Sequence, residues 1–378
     1  MNRADLNRLT TLLACPTAPF REETVATVIT TWLSRAKVPY FRDPVGNIVV
    51  GASSRAEYRR RVRTHGTEPL RVFIAHMDHP GFHGLRWLSD RRLAIKWHGG
   101  SPAKKLAGAD VWLATTHGYV ARGRLANVRL DASRHGMHSA EVVIQMPSWK
   151  ARPPAGVLYG GFRFRAPIWR TGRRLYTKAA DDLVGVFAVM QTAIKLCARK
   201  RRAPFLGLLT RAEEVGFVGA VGHFELGWLD NARRPIVCVS LETSRALPGA
   251  HIGKGPVVRL GDRRTVFDPG ALQVLTETAQ RILPRRHQRR IMDGGACEAT
   301  AATAWGFPAI GISVPLGNYH NQDDKTGAPA PEYVHLKDVE GMLKLCQALM
   351  VPGLPWATPW KQQRRGLSQN LRTYRCLL

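Results

Sequence analysis

The hydrophobic positions of this chain form two patterns, and the first predicts strands that alternate with helices. Short, mainly apolar runs bounded by turn residues are typical of strands buried on both faces, and they lie at residues 70–75, 205–209, 235–242 and 308–314. Helical spacing of apolar positions occurs around them, at residues 2–14, 21–36, 183–197, 217–226, 269–282 and 335–350. This alternation predicts an α/β fold with a mixed, mostly parallel sheet flanked by helices.

Between residues 85 and 172 the pattern changes to short β-type runs separated by glycine and proline turns. Such spacing is typical of a small barrel or sandwich, so we predict an inserted small β-barrel domain. The predicted organisation is a discontinuous α/β domain of residues 1–84 and 173–350, an inserted β domain of residues 85–172, and a basic tail of residues 351–378. The tail is rich in Pro, Trp and Arg, and we expect it to be partly disordered. Residues 52–68 are polar and basic and are predicted to form a loop.

The chain is strongly basic, and this charge bears on which partners its surface attracts. Lysine and arginine number 56 against 28 acidic residues, which gives a net charge of +28, and basic clusters such as Lys200–Arg202 are scattered along the chain. Such a surface attracts nucleic acid, anionic lipid or acidic peptides; the alternative is a basic surface that is simply solvated. Since the sequence has no nucleic-acid-binding motif, nucleic acid is expected only as an unspecific partner.

The cysteine pattern and the hydropathy indicate a compartment. The six cysteines show no CxxC and no paired spacing, which is typical of free thiols in a reducing environment. The first residues lack the apolar core of a signal peptide, and no apolar run approaches the roughly 18 residues of a membrane span. We therefore expect a soluble cytoplasmic protein without a membrane partner.

Candidate chemistry lies where the predicted strands end. Potential ligands follow or end these strands or begin a helix: His76, Asp181, Glu213, Glu214, Glu242 and His320. The carboxyl ends of parallel strands are where open α/β sheets bind ligands. Two imidazoles and several carboxylates, without a cysteine pattern, fit a catalytic metal site, and a spare carboxylate fits a general base in metal-assisted hydrolysis. The alternative for Glu213 and Glu214 is an acidic turn before a helix, where the helix dipole favours acids.

The order of short motifs adds a family resemblance. The chain contains, in sequence, His76-Met-Asp78, Lys178-Ala-Ala-Asp181-Asp-Leu-Val-Gly185, Glu213-Glu-Val-Gly216, Glu242 and Tyr319-His320. This order resembles that of the dinuclear-zinc aminopeptidases of the tetrahedral (TET-type) glutamyl and deblocking aminopeptidase family, which is related to the wider clan of zinc aminopeptidases, carboxypeptidases and deacylases. The resemblance covers roughly residues 5–350.

The resemblance implies a role for each motif residue. Asp181 would bridge two divalent metal ions, which would be zinc, with cobalt or manganese as alternatives. His76 and Glu242 would complete one ion, and Glu214 and His320 the other. Glu213 would be the general base that takes a proton from a metal-bridging water. Asp78 would orient the imidazole of His76, and Asp182 is a less well matched alternative to Asp181 as the bridge.

The chain departs from the family pattern in four places, which leave the ligand types intact but bear on the substrate. His79 replaces a usual Glu, Glu242 replaces a usual Asp, Ala296-Cys-Glu298 stands for Gly-Thr-Asp, and Asn318-Tyr-His320 stands for Arg-Tyr-x-His. The inserted β domain adds histidines without ligand spacing, which we interpret as surface or packing residues: His83, His98, His117, His135 and His138.

Three functions follow as hypotheses. The first is a metal-dependent aminopeptidase that hydrolyses N-terminal peptide bonds and, as the resemblance implies, forms a homo-oligomer through the inserted β domain. The second is a metal-dependent amidohydrolase, deacylase or dipeptidase acting on a small N-acyl substrate, which Glu242 and His79 leave open. The third is a catalytically silent protein of the same fold that binds anions or nucleic acid through its arginines.

Overall fold

The computed structural model describes residues 1–199 and 203–378, so the predicted basic cluster Lys200–Arg202 lies outside the described residues. In the described ranges the α-helices are α1 (Arg3–Ala14), α2 (Glu23–Arg35), α3 (Arg55–Arg63), α4 (Leu183–Ala198), α5 (Val218–Glu225), α6 (Pro269–Ile282), α7 (Glu298–Ala304), α8 (Leu336–Ala348) and α9 (Lys361–Tyr374). The strands there are β1 (Tyr40–Arg42), β2 (Ile48–Val50), β3 (Leu70–His76), β4 (Gly81–Ser89), β5 (Arg92–His98), β6 (Asp110–Thr115), β7 (Gly118–Leu130), β8 (Met137–Ile144), β9 (Tyr159–Phe162), β10 (Ile168–Thr171), β11 (Arg174–Thr177), β12 (Phe205–Thr210), β13 (Ile236–Arg245), β14 (Val257–Asp262), β15 (Gln288–Met292), β16 (Ala309–Gly317) and β17 (Glu332–His335).

The main sheet is mixed and has a parallel centre. Its strand order is β1-β2-β12-β3-β13-β16-β17-β11-β10, with β14 and β15 attached beside β16. The pairs β12–β3, β3–β13 and β13–β16 are parallel. Every residue of β3 and β12 is buried, which explains why both appear as continuous apolar runs rather than alternating ones. The predicted α/β fold is confirmed.

Helices cover this sheet, and α4 is the most enclosed of them. Its first eleven residues are all buried, because it contacts the sheet as well as α1 and α8. A helix that is apolar on all sides is stable only in such a place. The α4 N-terminus is thereby fixed close to the ends of β3 and β13, which decides where the residues just before it lie.

The second unit is a closed antiparallel barrel with the strand order β4-β5-β8-β7-β6-β9. Inward residues alternate with outward ones along β5 and β8, as the period of two along a strand requires. Its core is apolar and includes Phe82, Leu93, Val111, Leu113 and Val142. The predicted inserted β-barrel is confirmed as part of the fold class, whereas the domain boundaries stay a prediction.

Two segments differ from the sequence-based expectation. The polar stretch 52–68, predicted as a loop, contains α3. Ser54 caps this helix by accepting a hydrogen bond from the amide of Glu57, and the buried residues Tyr58 and Val62 form one narrow stripe along it. The tail, predicted to be partly disordered, contains α9, none of whose residues is buried. In both cases a high arginine content concealed a helical stripe of two or three apolar residues. No helix within the described ranges is long and apolar enough to cross a membrane.

Candidate metal centre

The predicted ligands meet at the carboxyl edge of the parallel strands. Strand register explains the meeting: Thr210 at the end of β12 lies opposite His76 at the end of β3, so the turn that follows β12 begins beside the first imidazole. That turn is a short 3₁₀ segment, Glu213–Val215. Glu242 lies within β13, Asp181 lies just before α4, and His320 lies in the turn after β16. Five parts of the chain that are distant in sequence thus supply one site.

Among the described residues the site offers three ligand clusters, of which two share Asp181 and the third contains His76, Glu213 and Glu214. Of the two that share Asp181, the first contains His76, Asp181 and Glu242, and the second contains Asp181, Glu214 and His320; within each cluster the ligand atoms lie within 4.8 Å of one another. The two oxygens of Asp181 divide between them: Oδ1 is 3.5 Å from Nε2 of His76, and Oδ2 is 3.7 Å from Nε2 of His320. A carboxylate placed in this way can bridge two cations.

The carboxylates of the site lie close to one another, and this proximity contributes to raising their pKa values. Burial raises the pKa of Glu213 well above its usual range, and the negative charges of Glu214 and Glu242 raise it further. Burial and the same kind of repulsion raise the pKa of Glu242 to about 7. For His76, burial favours the neutral form, but the surrounding carboxylates dominate and raise its pKa well above the ordinary value. The site therefore holds an excess of negative charge that a cation would balance.

The donor set fits divalent metal ions. Among the described residues, the buried atoms Oδ1 of Asp181, Oε1 of Glu214 and Nε2 of His320 have no hydrogen-bond partner, although unpaired buried polar atoms are costly. Each cluster offers three protein donors of nitrogen and oxygen type, which suits zinc, cobalt or manganese, and three protein ligands leave a coordination position for water or substrate. The residues thus account for a catalytic rather than a closed structural metal site.

Asp78 lies beneath this centre and holds the turn that carries Glu213 and Glu214. Its carboxylate accepts hydrogen bonds from the backbone amides of Glu213 at 3.0 Å and Glu214 at 3.2 Å. It is also 3.6 Å from Nδ1 of His76, whose nearer partner is the backbone carbonyl of Asp78 at 3.2 Å. The predicted contact of Asp78 with the imidazole is thus shared between its carbonyl and its carboxylate, and the carboxylate also fixes the backbone of the predicted base and of a predicted ligand.

Asp182, the alternative bridge, has a different position. One of its oxygens accepts hydrogen bonds from the amide of Gly185 at 3.1 Å and from the hydroxyl of Thr243 at 2.9 Å, so that it caps α4. It belongs to none of the three ligand clusters found among the described residues. Asp181 remains the better candidate for the bridge.

Glu332, which was not predicted from the sequence, accepts hydrogen bonds from the backbone of two predicted ligands. This fully buried carboxylate accepts hydrogen bonds from the amides of Ala180 at 2.7 Å and Asp181 at 3.2 Å through one oxygen, and from the amide of His320 at 3.0 Å through the other. It therefore ties the predicted bridge to a ligand of the second cluster. The only sequence signal was an acid at the start of the short strand β17, which is weak evidence.

The turn around His320 needs such support because its backbone is unusual. Asn318, His320 and Asn321 all have positive φ angles, of 59°, 55° and 57°. Left-handed conformations at residues other than glycine cost of order 1 kcal/mol or more and persist only where surrounding contacts enforce them. The hydrogen bond from His320 to Glu332 is one such contact, and that from the Asn318 side chain to the carbonyl of Pro331, at 2.8 Å, is another.

His79, noted as a departure from the family pattern, is buried against the site without joining a ligand cluster of the described residues. Its Nδ1 is 2.7 Å from the backbone carbonyl of Asp181, and its Nε2 is 3.3 Å from the side-chain oxygen of Asn321. Burial, together with the neighbouring His320, lowers the pKa of His79 to about 4. A neutral imidazole at this place supports the backbone of the predicted bridge.

The barrel contributes a pair of glycines to the edge of the site. Residues Gly99 and Gly100 follow β5 and pack on two predicted ligands: a Cβ at Gly100 would overlap the imidazole of His320, and one at Gly99 would be 3.2 Å from Cβ of Glu214. The indole nitrogen of Trp97, in the barrel core, donates a 3.0 Å hydrogen bond to the carbonyl of Gly100. The barrel and the candidate metal centre are therefore in direct contact.

The barrel histidines form no comparable cluster in the described part of the chain. His83 and His98 have ring centroids 4.4 Å apart, and Nε2 of His83 is 2.8 Å from the carbonyl of Pro19. Burial lowers the pKa of His83 to about 4, and the nearby cations Arg21 and Lys96 act in the same direction. Neither ring faces a carboxylate at ion-pair distance, so the two differ from the imidazoles of the site.

Comparison with known proteins agrees with this arrangement. A family model described as M42 glutamyl aminopeptidase matches residues 60–345, about three quarters of the chain. No curated protein sequence matches the chain.

Solved structures show the same fold. A TET1 peptidase of Pyrococcus horikoshii, which assembles into a tetrahedron or a large octahedral shell, aligns over 92% of this chain and 99% of its own, with a TM-score of 0.72 and 20% identity. An aminopeptidase from the archaeon Desulfurococcus kamchatkensis aligns over 95% and 98%, with a TM-score of 0.72 and 20% identity. A TET aminopeptidase from a marine-sediment thaumarchaeon, SCGC AB-539-E09, aligns over 93% and 97%, with a TM-score of 0.71 and 19% identity.

Proposed function

This chain belongs to the M42 glutamyl aminopeptidase family and is a metal-dependent aminopeptidase, and from that premise we propose that it works through two metal ions bridged by Asp181, with Glu213 as the general base. The observation that carries the proposal is the pair of ligand clusters that share this one carboxylate. His76 and Glu242 would hold one ion, and Glu214 and His320 the other. Zinc is the ion that this donor set suits best, with cobalt or manganese as alternatives.

When bound, the two ions would lower the pKa of a water molecule between them and polarise the scissile carbonyl. The protein supplies the proton transfers. Glu213 takes the proton of the attacking water and passes it to the amine of the leaving peptide. The position of its carboxylate, 3.8 Å from Nε2 of His76, keeps it beside the ligands. The amide hydrogen bond to Asp78 keeps its backbone fixed during this transfer.

Replacing Glu213 by Gln tests the assignment of the base. The amide keeps the shape but cannot take a proton, so we expect hydrolysis of aminoacyl-p-nitroanilides to fall by about 10²–10⁴-fold. Metal content, measured by elemental analysis of protein purified without chelator, should remain two ions per chain. Glu225→Gln, which changes an exposed carboxylate on α5, is the matched control and should behave as wild type.

The outcomes separate the parts of the proposal. Activity near the wild-type level in Glu213→Gln would contradict the assignment of Glu213 as the general base. A metal content of one ion or none per wild-type chain would contradict the proposed dinuclear centre. Turnover of N-acetylated substrates in preference to free aminoacyl substrates would favour the deacylase alternative, in which the same centre acts on an amide without a free amine.

The charges next to the first cluster support a substrate with an acidic N-terminal side chain. Arg259 is buried, with one guanidinium nitrogen 4.0 Å from Oε2 of Glu242 and Nε without a hydrogen-bond partner among the described residues. Together with Arg245 and Tyr319 it lines a small pocket beside Glu242. A comparison of glutamyl and leucyl p-nitroanilides measures this preference, and equal kcat/KM values would argue against it.

We further propose that the chain forms a homo-oligomer, as the Pyrococcus horikoshii TET1 peptidase does. Support comes from exposed apolar side chains on the barrel, among them Leu85, Leu88, Met146 and Val157, since apolar groups left in water are typical of subunit contacts. The charge of +28 opposes close packing of copies. Light scattering of the purified protein gives the mass, and a monomer at micromolar concentration would contradict the proposal.

A further inference from the structure

The helix α9 lies at the surface of the described part of the protein. None of its residues is buried. It touches the body near its start, where the side chain of Gln363 donates a 3.2 Å hydrogen bond to Glu277, and every residue from Arg364 onward is exposed. The family match ends at residue 345, so this helix lies outside the part of the chain that the match covers.

The exposed residues of α9 follow a pattern that needs a partner. Leu367, Leu371 and Tyr374 are spaced by four and three residues and form one stripe along the helix. Their exposed fractions are 68%, 57% and 61%. A helix of this length is marginal in water on its own, and Gly366 and Asn370 lower its intrinsic stability further. The helical form and the bare stripe together indicate that something covers this face.

The charges of the helix indicate what that partner is. Residues 361–378 contain five basic side chains and no acidic one; the basic residues are Lys361, Arg364, Arg365, Arg372 and Arg375. Two copies of residues 361–378 packed side by side would bring ten positive charges together without an acid within the segment to pair them, which opposes self-association. Nucleic acid would engage the arginines but leave the leucine stripe in water. An anionic lipid surface satisfies the apolar stripe and the charges at once.

We propose that α9 binds in the plane of an anionic lipid surface, with Leu367, Leu371 and Tyr374 among the acyl chains and the arginines at the headgroups. No membrane partner was expected from the sequence because no segment is long enough to span a bilayer, but a helix that lies on the surface does not require such a segment. Trp360 and Tyr374 stand near the two ends of the helix, at positions where aromatic rings suit the interface. The positive charge of the whole chain adds a long-range attraction to the same surface.

Co-sedimentation of the full chain with lipid vesicles tests the proposal. The wild type should bind vesicles of phosphatidylcholine mixed with phosphatidylglycerol and should not bind vesicles of phosphatidylcholine alone, and raised salt should weaken the binding. The double variant Leu367→Gln/Leu371→Gln keeps every charge and should bind more than about tenfold more weakly. Arg364→Gln/Arg365→Gln keeps the stripe and should lose about tenfold or more.

A charge-matched control separates the helix from the basic body of the protein. Arg60→Gln/Arg63→Gln removes two exposed charges from α3 and should bind nearly as well as wild type. Since the changes in α9 lie away from the candidate metal centre, hydrolysis of aminoacyl substrates should be unchanged in all three variants, which also reports that each variant is folded.

Three results would overturn the proposal. One is the absence of wild-type binding to the anionic vesicles. Another is binding that the leucine variant does not weaken, which would assign the attraction to the charge of the body alone. The third is a leucine variant that changes the mass of the oligomer while vesicle binding is unaffected, which would make a second copy of the chain the occupant of the stripe.

Discussion

The edge of the sheet and the barrel both contain close histidines, yet only one of them is a candidate metal centre. At the sheet edge, His76 and His320 each lie within 4 Å of carboxylate oxygens, and both face Asp181. In the barrel, His83 and His98 lie against each other, a backbone carbonyl and nearby cations. The residue type therefore does not decide the role: imidazoles become candidate ligands where aligned strand ends bring acids to them.

The two regions also differ in how they treat buried charge. The barrel core is apolar and gains its stability from burial. The sheet edge holds a group of fully or nearly fully buried acids, Asp181, Glu213, Glu242, Glu298 and Glu332, whose desolvation opposes folding. Bound cations would balance this excess of negative charge. Metal removal should therefore affect the sheet edge far more than the barrel.

The largest effect that tests this contrast is expected from paired histidine variants. His320→Ala removes a donor from the second cluster, so we expect the loss of one ion and a decrease in activity of more than about 100-fold, beyond what outer partners of a metal site usually cause. His98→Ala should retain both ions and most of the activity. Elemental analysis and kinetics check both variants. Similar metal loss in the two would contradict the inference that the sheet edge binds metal and the barrel histidines do not.

A smaller effect is expected from a carboxylate that touches no substrate. Glu332→Gln replaces one acceptor oxygen by a donor, so at least one of the amides of Ala180, Asp181 and His320 loses its partner. We expect metal affinity, measured by chelator competition, to fall by about 10–100-fold, with a changed absorption spectrum of the cobalt-loaded protein. Glu141→Gln, at a half-buried carboxylate paired with Arg92 on the barrel, is the control.

The same experiment distinguishes positioning from general stability. If Glu332 only stabilised the fold, the melting temperature of the metal-free variant would fall while affinity and the cobalt spectrum of the folded protein stayed at wild-type values. That result would contradict the inference that Glu332 positions the ligands.

The smallest effect is a pH dependence that belongs to the barrel. The pKa of His83 in the folded protein is about 4, against an ordinary value of 6.5, so between these values the unfolded chain binds a proton that the folded chain does not. This difference stabilises the folded protein fully above pH 6.5 and is lost as the pH falls toward 4. Replacing His83 by Asn should flatten the dependence of unfolding free energy on pH in that window. If the unfolding free energy, measured by denaturant titration, depends on pH as steeply in the variant as in the wild type, the His83 side chain is exposed to water.

The sequence predicted the parts of the fold that periodicity encodes strongly. Continuous apolar runs such as β3 and β12 indicated the parallel centre, and alternating runs indicated the barrel. It was wrong about 52–68, where α3 rests on Tyr58 and Val62 alone, and it did not predict α9. A stripe of two or three residues among many arginines is too weak a signal to separate from a solvated loop.

The candidate site was predictable to the extent that its ligands end or follow strands in chain order. The motifs located all five proposed ligands and Glu213, and the structure brings those residues together; their roles stay predictions. Glu332 and Gly100 were missed because their importance rests on contacts that have no local signature: a carboxylate reaching three amides from another strand, and a missing side chain beside an imidazole. The cytoplasmic location also stays a prediction.

The glycine pair at residues 99 and 100 has a consequence for how this protein can vary. Because Gly100 leaves no room for a side chain beside His320, and because Trp97 of the barrel core holds its carbonyl, the barrel is not an interchangeable module. If this domain is exchanged with that of a relative, the residues that follow β5 have to keep the same backbone path and must not add even a methyl group at position 100. Otherwise the exchange disturbs the candidate metal centre. The junction thus constrains which recombinants and which insertions this architecture tolerates.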